Sequence, residues 1–349
     1  MHVAFDGSPL IENPNSPSSL HLIEWLSMLQ AAGARITLLY PEGELPPMPA
    51  DIGTRALTRR TGAWGQLRFE QRDLPQAAGE LDADLLLVGE GRVPLSSPCP
   101  IVAISSLSRS LEPRGWINTL ATAAGRAGTR GASALLVPSD AKHEWKDAGR
   151  RSYPPFVPQA FKQEALEIRE PYVLCYGFGR EDVALILSAW TWVDGSLGDA
   201  YPLTFLGPEP TLTMEINSIA AELNIEASVR IRGEVSYADL PRLYGAASAF
   251  IGTAFAAAGQ SLRWALAAGS PVIGLKTPEF ESVLGDAAYL VPPGDSRSLG
   301  AACLTVLIQE RVSLPLREKG AILTSQYLEA HAATTILDLL NEFLRPGMG

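Results

Sequence analysis

Three stretches in the second half of the chain carry a clear pattern of secondary structure: LPRLYGAASAFIG at residues 240–252, WALAAGSPVI at 264–273 and LGDAAYLVPPGD at 284–295. Each ends in or contains a short apolar run bounded by Gly, Pro or Ser, and the segments between the runs have the length of short helices. Strands that alternate with helices in this way are typical of a parallel sheet with right-handed crossovers. These stretches therefore predict part of a doubly wound α/β unit.

The same alternation extends over the rest of the chain. It predicts strands at residues 2–5, 35–40, 85–88, 101–104 and 134–137, and then at 172–176, 203–206, 229–231, 249–251, 271–273 and 288–291. The intervening segments predict helices at 19–32, 74–81, 116–130 and 140–148, and then at 180–192, 211–223, 237–246, 261–268, 278–284, 297–309, 315–327 and 333–344. Residues 41–80 interrupt the pattern and are rich in Pro, Gly and Arg. We interpret most of this segment as a solvated surface loop, with a loop for an acceptor or a partner as the alternative.

Two domains fit the length of 349 residues, since single domains run to about 100–200 residues. YPPFVP at residues 153–158 places three prolines where neither a helix nor a central strand can continue. We expect an N-terminal Rossmann-like domain at 1–158, a second one at 159–330, and a C-terminal helix at 331–349 that packs back toward the first. Two such units face each other across a cleft at the carboxyl edges of their sheets, where open α/β sheets bind ligands.

Composition excludes several classes of function. The formal charge of −10 disfavours nucleic acid and anionic lipid as partners. No apolar run reaches the roughly 20 residues of a membrane span, and no signal peptide opens the chain, so we expect a cytoplasmic protein that is not transmembrane. The cysteines, Cys99, Cys175 and Cys303, are far apart, and the four histidines form no metal-ligand spacing. Buried free thiols and no metal are the expectation.

The ordered motifs resemble those of the group 1 glycosyltransferases of family 4, in particular the mannosyltransferase-like branch. The stretches quoted first are similar to its nucleotide-sugar-binding half, and Gly207 follows the strand at 203–206 as a glycine does there. In the first half, residues 4–10 (AFDGSPL) and Phe69-Glu70-Gln71 are similar to motifs of the same branch. The resemblance implies a GT-B fold and a nucleotide-sugar ligand, with no further cofactor.

The residues that carry the chemistry of this family are replaced. Where the family has two glutamates eight residues apart, this chain has Ala256 and Trp264. Phe178 stands in place of the arginine of the diphosphate clamp, and Ser105 stands in place of the active-site histidine. Without a carboxylate, the buried hydroxyls of a bound donor lose their partner, which is costly.

Other ligand-binding elements are partly retained. The loop at 13–19 contains two prolines, which prevents it from cradling an anion as a double glycine does. Gly259-Gln260-Ser261 precedes a helix and retains backbone N–H groups that can face a phosphate, although an ordinary capped helix is the simpler interpretation. The resemblance therefore implies a nucleotide- or phosphate-binding set made of Gly177, Phe178, Gly179, Arg180, Gly207, Gly259, Gln260 and Ser261.

Three hypotheses remain open. The first is a degenerate glycosyltransferase, a pseudoenzyme that acts as a binding, assembly or regulatory subunit of an active glycosyltransferase or another protein. The second is a divergent active enzyme that moves a sugar from a nucleotide-sugar to a glycan or lipid-linked acceptor, with Arg180 on the diphosphate and Asp6 or Glu90 near the acceptor. The third is a purely structural interaction protein with an interface of exposed aromatics, which are Trp64, Trp116, Trp145 and Trp192.

Overall fold

The structure is a computed structural model that describes residues 1–107, 116–141, 149–162, 170–254 and 256–344. The chain divides into two units. Unit 1 contains the described residues of Met1–Ser139, His143–Pro155 and Glu329–Gly349, and unit 2 those of Asp140–Lys142 and Phe156–Leu328. The chain therefore enters unit 2 and returns to unit 1 for its last helix.

Unit 1 is built on a parallel sheet of seven strands in the order β3-β2-β1-β4-β5-β6-β7. The strands are β1 (His2–Asp6), β2 (Arg35–Pro41), β3 (Gly53–Leu57), β4 (Leu85–Gly89), β5 (Ile101–Ile104), β6 (Ala134–Pro138) and β7 (Arg150–Tyr153). The central strands β1 and β4 are buried along their whole length. That burial explains their continuous apolar runs, because helices cover both faces of a parallel sheet.

The helices of this part of the chain are α1 (Ser8–Glu12), α2 (Pro17–Ala31), α3 (Gly62–Arg68), α4 (Leu74–Glu80) and α5 (Trp116–Gly131). Helix α2 begins with a proline at its first position, and the Ser16 hydroxyl accepts the Ser19 N–H at 3.1 Å, which satisfies one free donor of the first turn. A π-helical turn, Phe69–Asp73, joins α3 to α4. It directs Phe69 and Glu70 into the interior.

Unit 2 has a parallel sheet of six strands in the order β10-β9-β8-β11-β12-β13. The strands are β8 (Glu170–Cys175), β9 (Leu203–Leu206), β10 (Val229–Arg232), β11 (Ala247–Gly252), β12 (Val272–Leu275) and β13 (Ala288–Val291). The helices are α6 (Arg180–Leu197), α7 (Pro210–Glu222), α8 (Leu240–Ala246), α9 (Gln260–Ala267), α10 (Pro278–Leu284), α11 (Ser296–Ile308) and α12 (Glu310–Ser325). Trp190, Phe205 and Ile251 are among the residues of its core.

The last helix, α13 (Glu329–Glu342), returns to unit 1 and packs against α2 and β7. It buries Ala332, Ile336 and Leu340 completely. The spacing of these three residues places them on one face of the helix, as an amphipathic helix requires.

Two parallel sheets with flanking helices confirm the predicted α/β class, and each of the predicted strands is present within one or two residues. The interpretation of residues 41–80 as mainly loop is wrong. Besides α4, which confirms the helix predicted at 74–81, they contain β3, α3 and the π-helical turn, and β3 pairs in parallel with β2. Its sequence, GTRAL, lacks an apolar run because it lies at the sheet edge and is largely exposed.

The other edge strand, β7, was missed for the same reason, since its sequence is RRSY. The predicted helix start at Pro315 is also wrong, because α12 begins at Glu310 and Pro315 lies in its second turn, where it removes one hydrogen bond without ending the helix. Most of the helix predicted at 140–148 lies outside the described residues. No single helix within the described ranges is long and apolar enough to cross a membrane, and α11 and α12 meet that test only as a pair bent by 91°.

Candidate functional site

The residues predicted to bind a nucleotide lie at the carboxyl edge of the sheet of unit 2. Residues 177–180 follow β8, Gly207 follows β9, and residues 256–261 follow β11. Strands β9, β8 and β11 are neighbours, so the three loops meet at one edge of the sheet. The topology thus brings together all the predicted binding residues, while Ser105 belongs to unit 1.

Trp264, at one of the two glutamate positions, is fully buried. Its indole stacks on Phe161 with ring centroids 5.4 Å apart and planes 7° from parallel. Tyr176 lies in a near-parallel arrangement at 6.4 Å, and Tyr244 contacts the indole edge-on at 6.1 Å. The large side chain is therefore part of an aromatic cluster that fills the interior next to the end of β8.

The segment after β8 is occupied by contacts within unit 2. Phe178 is half-buried and packs edge-on against Phe205, with ring centroids 4.9 Å apart. Arg180, the first residue of α6, is 52% exposed along its side chain and forms an ion pair with Glu215 at 2.7 Å. The cation proposed to compensate for the lost clamp thus already has a carboxylate partner on α7.

Asp182 closes the first turn of α6. Its Oδ2 accepts the Gly179 N–H at 2.7 Å, so the carboxylate satisfies a backbone donor that would be free for an anion. Burial raises the pKa of Asp182, and the charge of Glu181 acts in the same direction, while the Gly179 N–H opposes the shift. A carboxylate in this position repels a diphosphate.

The loop before α9 has an unusual backbone. Ala257 and Ala258 both adopt φ 50° and ψ 41°, and Gly259 follows with φ 84°, so three consecutive residues are left-handed. Only glycine adopts this region without a steric cost. The loop is held by Arg263, whose Nη1 donates to the Ala258 carbonyl at 2.9 Å.

The N-terminus of α9 is closed by buried side chains. Gln260 is buried and donates from Nε2 to the Phe156 carbonyl at 3.0 Å, and Ser261 is buried beside it. Arg263 is buried too, and its Nε donates to Asp140 Oδ2 at 3.0 Å. The Tyr327 hydroxyl donates to the same carboxylate oxygen at 3.1 Å.

Sequence reasoning missed Arg263 and its partners. The signal was a charged residue directly before Trp264 in an otherwise apolar stretch, but Asp140, its ion-pair partner, is 123 residues away in sequence. Burial raises the pKa of the Tyr327 phenol, and the charge of Asp140 adds to this effect, so the tyrosine stays a neutral donor. The result is an ion pair between the buried Arg263 and Asp140, whose side chain is 15% exposed, and Arg263 also holds the loop before α9.

Ser105, at the histidine position, begins a 3₁₀ turn directly after β5 in unit 1. It is buried, and the neighbouring Ser106 hydroxyl lies 2.9 Å from the Tyr153 phenol oxygen. A serine hydroxyl here is able to make hydrogen bonds but does not titrate near neutral pH, so it does not replace an imidazole in proton transfer.

Residues 170–309 match the model of the family described as Glycosyl transferases group 1. Among curated proteins, none matches the chain significantly. Similar solved structures include WaaG, a glycosyltransferase involved in lipopolysaccharide biosynthesis, with a TM-score of 0.75 and 17% identity over 97% of this chain and 99% of WaaG.

Two further structures show the same likeness. Sucrose-phosphate synthase from Thermosynechococcus elongatus has a TM-score of 0.72 and 15% identity, over 98% of both chains. HepE from Anabaena, crystallised with UDP and glucose, has a TM-score of 0.70 and 15% identity over 97% of this chain and 99% of HepE. At such identities the structures establish a GT-B fold and leave the activity open. The predicted fold and the resemblance to group 1 glycosyltransferases are thereby confirmed.

Proposed function

We propose, from the premise that residues 170–309 form a group 1 glycosyltransferase domain, that this chain has lost sugar transfer and acts as a binding or assembly subunit. The observation that carries the proposal is the burial of Trp264 in a stack of aromatic rings, at a position where the family resemblance implies a carboxylate. A buried indole neither accepts a hydrogen bond nor carries charge. The volume that it fills is closed to a ribose.

The surroundings of the diphosphate position support the same proposal. Arg180 is paired with Glu215, and Asp182 is committed to the Gly179 N–H. Binding of a diphosphate would have to break the first contact and approach the second carboxylate, and both steps weaken affinity. The basic clamp, the two glutamates and the histidine that the resemblance implies are all replaced. Their combined replacement favours a loss of catalytic turnover over a change in substrate specificity.

Calorimetric titration of the full chain with UDP, UDP-glucose and GDP-mannose tests this proposal. We expect no saturable heat at donor concentrations up to about 1 mM, and no donor hydrolysis by the same protein. HepE, which was crystallised with UDP-glucose, serves as the positive control for the titration. Micromolar donor binding together with measurable hydrolysis would contradict the proposal.

The role as a subunit has its own test. Cross-linking in the native host, followed by mass spectrometry of the tagged chain, should identify a defined partner, and we expect an active group 1 glycosyltransferase. Of the tryptophans predicted to form an interface, Trp64 is 56% exposed and Trp192 is 49% exposed. The side chain of Trp116 and the whole of Trp145 lie outside the described residues. A monodisperse monomer without a partner would count against this role.

A second candidate is a divergent active transferase, and one observation favours it. Asp6 ends β1 at the carboxyl edge of unit 1, and its Oδ2 is buried without a hydrogen-bond partner in the described part of the chain. Such an oxygen is available to an acceptor hydroxyl. A glycan product that is formed by the wild type and lost in both Asp6→Asn and Arg180→Ala would establish this candidate, while no product under any donor would remove it.

A further inference from the structure

A row of exposed side chains runs along the helical segment at residues 60–72 of unit 1. Arg60, Trp64, Arg68 and Arg72 follow one another at a spacing of four residues, and all four are exposed. Trp64 is 56% exposed, whereas Phe69, next to Arg68, is buried. Because residues four apart are neighbours on the surface of a helix, the residues within α3 and the π-helical turn lie on one face, and Arg60 lies just before it. We call these four residues the arginine row.

The guanidinium groups of the arginine row are little used within the chain. Arg68 Nε lies 3.5 Å from Asp73 Oδ1, which is a weak contact for a side chain that is 48% exposed. Arg60 and Arg72 have no hydrogen bond or ion pair in the part of the chain that the structure describes. The row is therefore a positively charged surface around an exposed indole, on a chain of net charge −10. Arginine and tryptophan are residue types that often dominate the binding energy of protein interfaces.

A surface of opposite charge lies on unit 2, along α7 and the turn that follows it. Met214, Ser218 and Glu222 are exposed residues of α7 at the same spacing of four, and Met214 is 66% exposed. Glu226, also exposed, belongs to a 3₁₀ turn that packs against α7. The Ser218 hydroxyl donates to Glu222 Oε1 at 3.3 Å, and neither glutamate has an ion pair within the described ranges. We call these four residues the acidic row.

The two rows complement each other in length, in charge and in their apolar residue. At a helical rise of about 1.5 Å per residue, Trp64–Arg72 and Met214–Glu222 each extend over about 12 Å. Each row has a large apolar side chain on one side and two like charges on the other. If the helices lie side by side and in parallel, Trp64 meets Met214, whose thioether makes favourable contacts with aromatic rings. The arginines then meet the glutamates in charge-assisted hydrogen bonds.

We propose that the arginine row of one copy of this chain binds the acidic row of a second copy. The matching row on the chain itself favours this occupant over a different acidic protein or an anionic bilayer. Because the two rows are different surfaces, the contact is heterologous, and it builds either a closed ring or an open chain of copies. The surface involved is small, so we expect a weak association with a Kd of about 10–100 µM.

This inference goes beyond the proposed function. Neither row contains a residue of the loops at the carboxyl edge of the sheet of unit 2, where the nucleotide-binding residues are predicted. Self-association therefore does not depend on whether sugar transfer has been lost. The two proposals are also tested by different measurements, since sedimentation reports the contact between copies and calorimetry with donors reports the predicted nucleotide site.

Sedimentation velocity of the full chain tests the inference, over protein concentrations of about 5–200 µM and at about 0.1 M and 0.5 M NaCl. We expect the weight-average sedimentation coefficient to rise with concentration at the lower salt and to rise less at the higher salt, because salt screens exposed charges. Two variants reverse the charge of one row each, Arg68→Glu with Arg72→Glu and Glu222→Arg with Glu226→Arg. Each should weaken the association at least about tenfold, because like charges then face each other.

A mixture of the two charge-reversed proteins gives the sharper test. At equal concentrations they should associate again, since each reversed row meets a row of opposite charge on the other protein. All four substituted residues are exposed, so we expect both proteins to keep the melting temperature of the wild type within about 3 °C. The matched controls reverse exposed charges outside the rows and should sediment as the wild type does; they are Arg151→Glu with Arg311→Glu, and Glu318→Arg with Asp338→Arg.

Several results would overturn the inference. One is a wild type that remains monomeric at about 200 µM and the lower salt. Another is an association that the charge-reversed proteins share with the wild type, or one that their mixture fails to restore. A third is binding of a monomeric wild type to vesicles of phosphatidylcholine and phosphatidylserine at a ratio of about 7:3 that is lost in the protein with Arg68→Glu and Arg72→Glu, because the arginine row would then belong to a membrane contact.

Discussion

Trp264 and Phe161 lie face to face in the interior of unit 2, with ring centroids 5.4 Å apart and planes 7° from parallel. Phe161 belongs to a short 3₁₀ turn that precedes the sheet of unit 2, and Trp264 to helix α9 that follows its central strand. The stack therefore connects distant parts of the chain next to the carboxyl edge of the sheet. A residue at a position where the family resemblance implies a ligand-binding carboxylate is here part of the core.

Replacement of Trp264 by alanine should lower the free energy of unfolding by about 3–5 kcal/mol, since a large buried side chain leaves a cavity. Trp192→Ala is the matched control, because this tryptophan is 49% exposed and contacts Arg297 through a cation–π interaction at 5.7 Å. Its loss should cost about 1 kcal/mol or less. Urea unfolding of the wild type, Trp264→Ala and Trp192→Ala measures the three free energies of unfolding. Equal losses in the two variants would show that the stack does not stabilise unit 2.

In the left-handed loop before α9, a substitution should stabilise the protein, in contrast to the replacement of Trp264. Ala258→Gly should raise the free energy of unfolding by about 1 kcal/mol, because glycine adopts positive φ without a clash between Cβ and the backbone. Ala301→Gly, on the exposed face of α11, should lower it by about 1 kcal/mol. Thermal unfolding measures both changes. A loss of stability in Ala258→Gly would mean that the loop is not left-handed in solution.

The buried pair of Arg263 and Asp140 should behave differently from the exposed pair of Arg180 and Glu215. Arg263→Met leaves the Asp140 carboxylate without its cation in a setting shielded from water, and we expect a loss of about 3–5 kcal/mol. Breaking the exposed pair by Arg180→Met should cost about 0–1 kcal/mol. A double-mutant cycle with Asp140→Asn isolates the coupling between the two buried groups. If the coupling free energy between Arg263 and Asp140 were smaller than that between Arg180 and Glu215, the contacts described around α9 would be contradicted.

The stability of the protein should depend on pH through Asp182. Its pKa is raised by burial above the ordinary value of 3.8, so the folded chain holds the proton more tightly than the unfolded chain. The stability gained from the protonated carboxyl is complete below pH 3.8 and is lost as the pH rises through the folded pKa. Asp182→Asn, which retains an acceptor for the Gly179 N–H, should therefore gain stability relative to the wild type as the pH rises from about 3 to 7.

Urea unfolding at several pH values follows this difference. Asp199→Asn removes one exposed negative charge from the same unit and is the control for net charge. A difference between Asp182→Asn and the wild type that stays constant over the whole range would show that the buried carboxyl is not responsible.

The sequence predicted the central architecture because buried strands carry their own signal. Strands β4 and β8 are apolar over most of their length, and the glycines and prolines between elements mark the turns. The edge strands β3 and β7 escaped prediction because exposure at the sheet edge permits polar residues such as Arg55 and Arg150. A continuous apolar run is therefore absent from these two strands.

The sequence indicated which residues belong to the candidate site, but it did not indicate which contacts their side chains make. Motif order assigned Ala256, Trp264 and Phe178 to one predicted site, and in the structure they follow the neighbouring strands β8 and β11. The same order gave no indication that Trp264 would stack on Phe161, or that Arg180 would pair with Glu215, because these contacts depend on packing between elements distant in sequence. The contacts of Arg92 were even harder to predict from the sequence. Its partners Glu12 and Glu70 belong to separate elements and meet only in the folded unit.

The return of α13 to unit 1 has a consequence for the order of folding during synthesis. Residues 156–328 of unit 2 follow one another without interruption, so this unit has almost its whole sequence once Leu328 has left the ribosome. Unit 1 begins first but lacks the helix that covers α2 and β7 until Glu342 has emerged. The first unit to be translated is therefore the last to be completed, and a nascent chain stalled before residue 329 should expose the apolar surface that Ile336 and Leu340 later cover.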